Sequence, residues 1–201
     1  MQEAKRLQVV LLWHMHQPEY RDYATGEFAQ PWVYLHAIKD YADMAAHLER
    51  HPQVRAVVNF VPVLADQLED YADQFATGRI RDPLLGMLVH DPATPLTAAE
   101  RTLVIDRCFH ANHEKMVQPY PAYFGLHELF TALERQGRAA LDYLSDQYFH
   151  DLVTWYHLVW TGETVRRGAE IVTRLMASGM GFTLADRTAL FALLGEVVRE
   201  I

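Results

Sequence analysis

The first residues able to do chemistry are His14 and His16, in the stretch WHMHQPEY that follows the apolar run LQVVLLW. Two residues apart on an extended strand, both imidazoles point to one side. Such a pair can hold a divalent metal if later strands add one or two ligands. It can also donate to the hydroxyls of a polar substrate or orient a carboxylate. Spacing does not choose between these chemistries. The plain alternative is that both rings hydrogen-bond to backbone and cap the strand end. Pro18 then stops the strand. Asn59 ends a second apolar run, VRAVVNF, as His16 ends the first. Its amide both donates and accepts, which suits a hydroxylated ligand or a turn before Pro62.

Other candidates carry weaker signals. Glu19, Tyr20, Arg21 and Asp22 line the segment after the histidines, with solvent as the default for each. His36, followed by Lys39 and Asp40, borders an apolar helix face and reads as a satisfied core histidine. His110, His113 and Glu114 in HANHE place two imidazoles three apart on a helix, without the glutamate position of a zincin helix. Asp146, Asp151 and Glu163 bracket an aromatic segment and read as caps or solvated charges. Phosphate-cradling glycine loops, nucleophile elbows and a reactive setting for Cys108 are missing from the sequence, which sets aside kinase, dinucleotide and serine-hydrolase chemistry.

The elements that must position these residues follow from periodicity. Leu7 to Trp13 and Val54 to Phe60 are short, continuous apolar runs and read as buried strands. The polar and aromatic segment Glu19 to Pro31 is a loop long enough to be functional. A helix is expected from about Val33 to Arg50, with Tyr34, Ile38, Tyr41, Ala45 and Leu48 on one face. A second runs from Pro62 to Thr77-Gly78, with Leu64, Leu68, Tyr71 and Phe75 as its stripe. Strand, helix, strand, helix over residues 1–78 argues two βα units on a parallel sheet.

After that the strands vanish. Residues 79–95 read as a linker or short irregular elements. Thr97 and Glu100 fit a capping box for a helix reaching Met116. Further helices are expected at about Gly125 to Arg135, after Ser145, at Glu163 to Ala177, and at Leu184 to Ile201. Tyr148, Leu152, Trp155 and Val159, with Phe149, Val153 and Tyr156, make the helix after Ser145 apolar on two sides and mostly buried. Two strands are too few for this many helices. Either residues 79–201 form a bundle of their own, or the chain is the N-terminal portion of a larger barrel with a helical insertion. The pattern favours the second, a single partial domain over 1–201 that continues further.

Composition bounds the rest. The chain has 201 residues, half of them apolar, and a formal charge of −8. That balance suits a globular fold and disfavours nucleic acid as a partner. One cysteine rules out an internal disulfide and nearly excludes a thiolate metal cluster. The N-terminal run lacks the features of a signal peptide, and apolar stretches are too short to span a membrane. A cytoplasmic protein is expected.

Four segments taken together carry a resemblance: WHMHQPEYRD, PWVYLHAIKDY, VVNFVPVLADQLEDY and LSDQYFHDLVTWYHLVWTGE. They resemble the start of glycoside hydrolase family 57, the α-amylase-like enzymes of α-glucans. His16, Gln17 and Pro18 match the family's first block, with His14 just before it. Asn59, Pro62 and Leu64 resemble the end of its second strand. Trp155 to Trp160 resembles the helical segment inserted before its catalytic strands. The resemblance implies a distorted (β/α)7 barrel and retaining chemistry by a glutamate nucleophile and an aspartate acid/base, with no cofactor. Neither catalytic block has a match in this sequence. Both are expected on later strands, and this chain alone is expected to be inactive. What carries over is His14, His16 and, more weakly, Asn59 around a sugar subsite for an α-glucan or maltooligosaccharide.

Two other readings stay open. One is a metal-dependent barrel enzyme that begins with His-x-His, as amidohydrolases do. The other is a non-catalytic carbohydrate-binding or scaffold module. An unfinished barrel would also leave apolar strand edges open to self-association. Hydrolysis, transglycosylation and branching share the family and are not separated by these residues.

Overall fold

The computed structural model describes residues 7–201; Met1 to Arg6, which entered the signal-peptide reading, lie outside it. Two strands pair in parallel, β1 (Leu12–Met15) and β2 (Val57–Phe60), with Leu12 opposite Val57 and His14 opposite Asn59. The crossover is helical: α1 (Trp32–His36), a π-helical turn (Ala37–Tyr41) and α2 (Ala42–Arg50). The helix α3 (Pro62–Thr77) follows β2, with Pro62 in its first turn and Gly78 at φ 71° closing it. This is the expected α/β start, with the strands shorter than the apolar runs.

The expectation that both strands are buried is corrected. Leu12 is 62% exposed and Val57 54% exposed, and Leu7, Val9, Val10, Leu11, Val54, Val58 and Phe60 are exposed with them. Within β1, only Trp13 and Met15 turn to the core. Apolar composition states that a surface avoids water; it does not say which part of the chain covers it.

The crossover helix departs from its expected stripe at the π turn. Tyr34, Ile38 and Tyr41 are buried, but Ala45 is exposed, and α2 buries no residue. Bonding from i to i+5 inserts a residue into the period, so the apolar face drifts off the core beyond Tyr41.

Among the described residues, seven more α-helices follow α3: α4 (Pro83–Leu88), α5 (Ala98–Cys108), α6 (Pro121–Glu134), α7 (Asp146–Trp160), α8 (Glu163–Gly168), α9 (Glu170–Ser178) and α10 (Leu184–Arg199). Asp82 caps α4 inside the segment expected to be irregular, accepting from the Leu84 and Leu85 amides. The Thr97–Glu100 capping box opens α5 as expected. That helix stops at Cys108 rather than Met116, because Asn112 starts a separate π-helical turn, His113–Val117. The α6 helix begins at Pro121, four residues before the expected start, using proline where no amide donor is needed. The expected 163–177 helix splits at Ala169, which is extended.

The core is built around α7, whose residues from Tyr148 to Trp160 are all buried. It packs against α1, α4, α5, α6 and α9. In the packed chain α10 lies along α3, and one apolar cluster joins Met15 and Tyr34 to Leu194 and Val198. The fully buried guanidinium of Arg187 in α10 donates to the Leu88 and His90 carbonyls at 2.9 Å each, satisfying the end of α4. Among the described residues, no helix is long and apolar enough to cross a membrane.

Candidate functional site

Alternation along β1 sets the site. Met15 is buried, while His14 and His16 on either side are exposed. Their rings lie 5.6 Å apart, tilted by 48°. Asn59 is exposed and sits directly across the ladder from His14. The strand end does not depend on the histidines for a cap, because the Val61 amide donates to the Met15 carbonyl at 3.3 Å. Two imidazoles and an amide therefore share the C-terminal end of a parallel pair. Among the described residues, no group of three His, Cys, Asp or Glu side chains converges. A metal at His14 and His16 would need ligands from elsewhere.

The segment after β1 is fastened to α3. The buried Gln67 side chain donates to the Pro18 carbonyl at 2.9 Å and accepts from the Tyr20 amide at 3.0 Å. Arg21 bonds Glu19 at 2.6 Å, reaches Asp70 at 3.1 Å and also pairs with Asp66. Glu19, the first carboxylate after the histidines, is thus tied to Arg21, whose hydrogen bond holds its pKa below the usual range. Asp22 folds its own turn, accepting from the Ala24 and Thr25 amides. These bonds fasten the segment to α3 within two to five residues of His16.

A second cluster adjoins this loop. Gln17 donates to the Tyr41 hydroxyl at 3.5 Å, and the Tyr20 hydroxyl donates to Gln17 at 2.9 Å. The Tyr41 ring lies 6.2 Å from His36. His36 is not the enclosed core residue expected from its place on the helix. Its side chain is partly exposed, and Nδ1 donates to Asp40 at 2.5 Å. Lys39 donates to the other carboxylate oxygen at 2.5 Å. The hydrogen bond from His36, with Lys39 beside it, holds the Asp40 pKa down to about 2. Periodicity missed this cluster because the π turn re-aims Lys39 and Asp40.

The remaining candidates have structural partners. Asp146 accepts from the Leu96 amide at 3.1 Å and from Arg101 at 2.7 Å. Asp151 is buried, accepting from the amides of Gly181 and Phe182 and from Gln147. Glu163 pairs with Arg166 and Arg167 on its own helix. In HANHE, His110 is exposed and apart, while the His113 ring meets His127 at 4.9 Å. Burial pushes the Cys108 thiol well above its usual range, which makes it inert as a nucleophile.

The family model described as glycosyl hydrolase family 57 matches residues 10–171. That span takes in β1, both histidines, Asn59, the whole of α7 and all four segments that carried the resemblance. No curated protein matches the chain, and no solved structure does. With the match covering well over half of its length, the chain belongs to glycosyl hydrolase family 57.

Proposed function

We propose that the chain is the N-terminal portion of a retaining glycoside hydrolase acting on α-glucans, with His14, His16 and Asn59 lining a glucose subsite. The observation that carries this reading is the in-register His14–Asn59 pair, with His16 one step beyond, in a member of this family. Sites in α/β sheets and barrels are built at the C-terminal ends of parallel strands. Imidazole and amide together donate to and accept from neighbouring hydroxyls. A bond of this kind accelerates a reaction only as far as it tightens in the transition state.

On this reading β1 and β2 are the first two strands of a distorted (β/α)7 barrel, and residues 79–201 are mainly a helical insertion. The exposed apolar residues of the sheet support it, since contiguous apolar surface of this kind calls for a cover. The same surface makes the chain alone prone to self-association. Retention needs two carboxyl groups about 5–5.5 Å apart across the sugar. Glu19, Asp146 and Glu163 are each committed to arginines. On this reading the glutamate nucleophile and aspartate acid/base that the family resemblance implies lie on later strands of the barrel.

The test is release of reducing ends from starch by the purified 201-residue chain. The reading expects none. Measurable release would place both catalytic carboxylates within these residues and overturn it.

A further inference from the structure

We propose that Trp32, His36, Lys39 and Asp40, backed by the buried Trp160, form a second pyranose subsite beside the strand ends. The proposal rests on the carbohydrate reading above and extends it to a neighbouring sugar ring. Nothing in the family match assigns a role to these residues.

A hexopyranose presents a flat C–H face and a rim of hydroxyls. It is held by an aromatic plane together with fixed acceptors and donors at the edge. The cluster has each part. The half-buried Trp32 ring lies 5.8 Å from Trp160 and 6.3 Å from His36. His36 meets Trp160 edge-on at 5.7 Å, and the Lys39 ammonium stands 5.8 Å from the Trp160 centroid. Asp40 accepts one bond on each oxygen, from His36 and from Lys39, which leaves lone pairs for sugar hydroxyls. With Nδ1 of His36 committed to Asp40, a neutral ring presents Nε2 as an acceptor, and Lys39 keeps further protons to donate. The three polar side chains are about a third exposed, at 31%, 35% and 36%, so a ligand can reach them.

The backbone fixes this arrangement. The Gly162 amide just after α7 donates to the Ile38 carbonyl within the π turn at 2.8 Å. This bond clamps the Trp160 end of α7 onto the turn that carries Lys39 and Asp40. Ion pairs a third exposed on a helix contribute only ~0–1 kcal/mol and need no indole packed behind them. Two features give the subsite a direction. The chain from Tyr41 through Gln17 leads back to the residue after His16. Lys39 also lines a cleft of about 370 Å³ together with Asp43, Tyr120 and Arg166.

The experiment is a titration of the 201-residue chain with maltoheptaose, followed by the indole N–H resonances of its four tryptophans. Trp13 reports on β1 and Trp32 on the proposed subsite. The expected result is a shift at Trp32, with Kd raised at least fivefold by Trp32→Phe and by Asp40→Asn. The asparagine variant keeps the side-chain shape if the tryptophan change disturbs folding. Shifts confined to Trp13 that are weakened by His14→Ala, but by neither subsite change, overturn the subsite and leave the glucose site standing. A Trp32 shift given by cellohexaose and not by maltoheptaose supports the subsite and overturns the α-glucan reading. No indole shift with either sugar overturns both.

Discussion

The Tyr34 hydroxyl in α1 donates to Nε2 of His157 in α7 at 2.9 Å, and both side chains are fully buried. The other ring nitrogen, Nδ1, lies 2.7 Å from the Val153 carbonyl, which can only accept. Burial disfavours the charged ring, so at neutral pH the imidazole is neutral, with its proton on Nδ1 facing Val153. This contact joins the first helix of the sheet layer to the central helix of the core, and so sets where the helix beside β1 sits.

A pH dependence of stability follows. Burial pushes the His157 pKa down to about 4 from its ordinary 6.5. The unfolded chain takes up the proton first, so stability present at neutral pH is lost as pH falls from 6.5 and levels off below about 4. At ~1.4 kcal/mol per pH unit, this group accounts for about 3 kcal/mol. Burial also pushes His150 to about 4, with the Arg187 charge adding to the effect, so the two losses run in parallel. Urea unfolding across this range should show a steep decline in the native protein. His157→Gln should flatten the decline while lowering stability at neutral pH by about 1–2 kcal/mol. An unchanged slope in the variant would place the titration elsewhere.

Gly162 should tolerate no side chain. A Cβ there would stand 2.9 Å from the Lys39 carbonyl oxygen and 3.0 Å from the Asp43 carboxylate. That carboxylate accepts the Glu163 and Thr164 amides at 2.8 Å each and starts α8. Gly162→Ala is expected to destabilise by about 1–3 kcal/mol. A melting temperature lower by ~2–4 °C per kcal/mol is the readout. An unshifted melting point would mean that the clamp between α7 and the π turn is loose.

The open sheet gives a prediction of almost no change in stability. Leu12 and Val57 are partners in the ladder and both are exposed. Leu12→Lys with Val57→Lys should leave the melting temperature of the isolated chain nearly unchanged, since exposed substitutions are worth within about ±0.5 kcal/mol. Sedimentation velocity should show less self-association than for the native chain. A large loss of stability would mean that this surface is already covered.

Local chemistry made much of this fold legible. The Thr97–Glu100 box, the Ser145 side chain that caps α7 by accepting from the Tyr148 amide, and the stripes Tyr34–Ile38–Tyr41 and Leu64–Leu68–Tyr71 could be read because each signal lies within a few residues. The π turn could not, because its Ile38 carbonyl is bonded by Gly162, far away in sequence. Strand exposure was illegible for a related reason: LQVVLLW and VRAVVNF say what avoids water, not what shields it. At the candidate site, strand alternation placed His14 and His16 on one face, but the Asn59 register and the His36–Asp40 pair needed the packed fold.

The most direct test of the central claim is calorimetric titration of maltoheptaose into the native chain, His14→Ala and Asn59→Ala at neutral pH. Both residues are exposed, so the variants should remain folded with melting points close to the native one. The account predicts measurable binding by the native chain and about tenfold weaker binding by each variant, the equivalent of ~1.4 kcal/mol. Equal affinity in all three proteins, or no heat from any of them, would contradict a glucose site at the ends of β1 and β2.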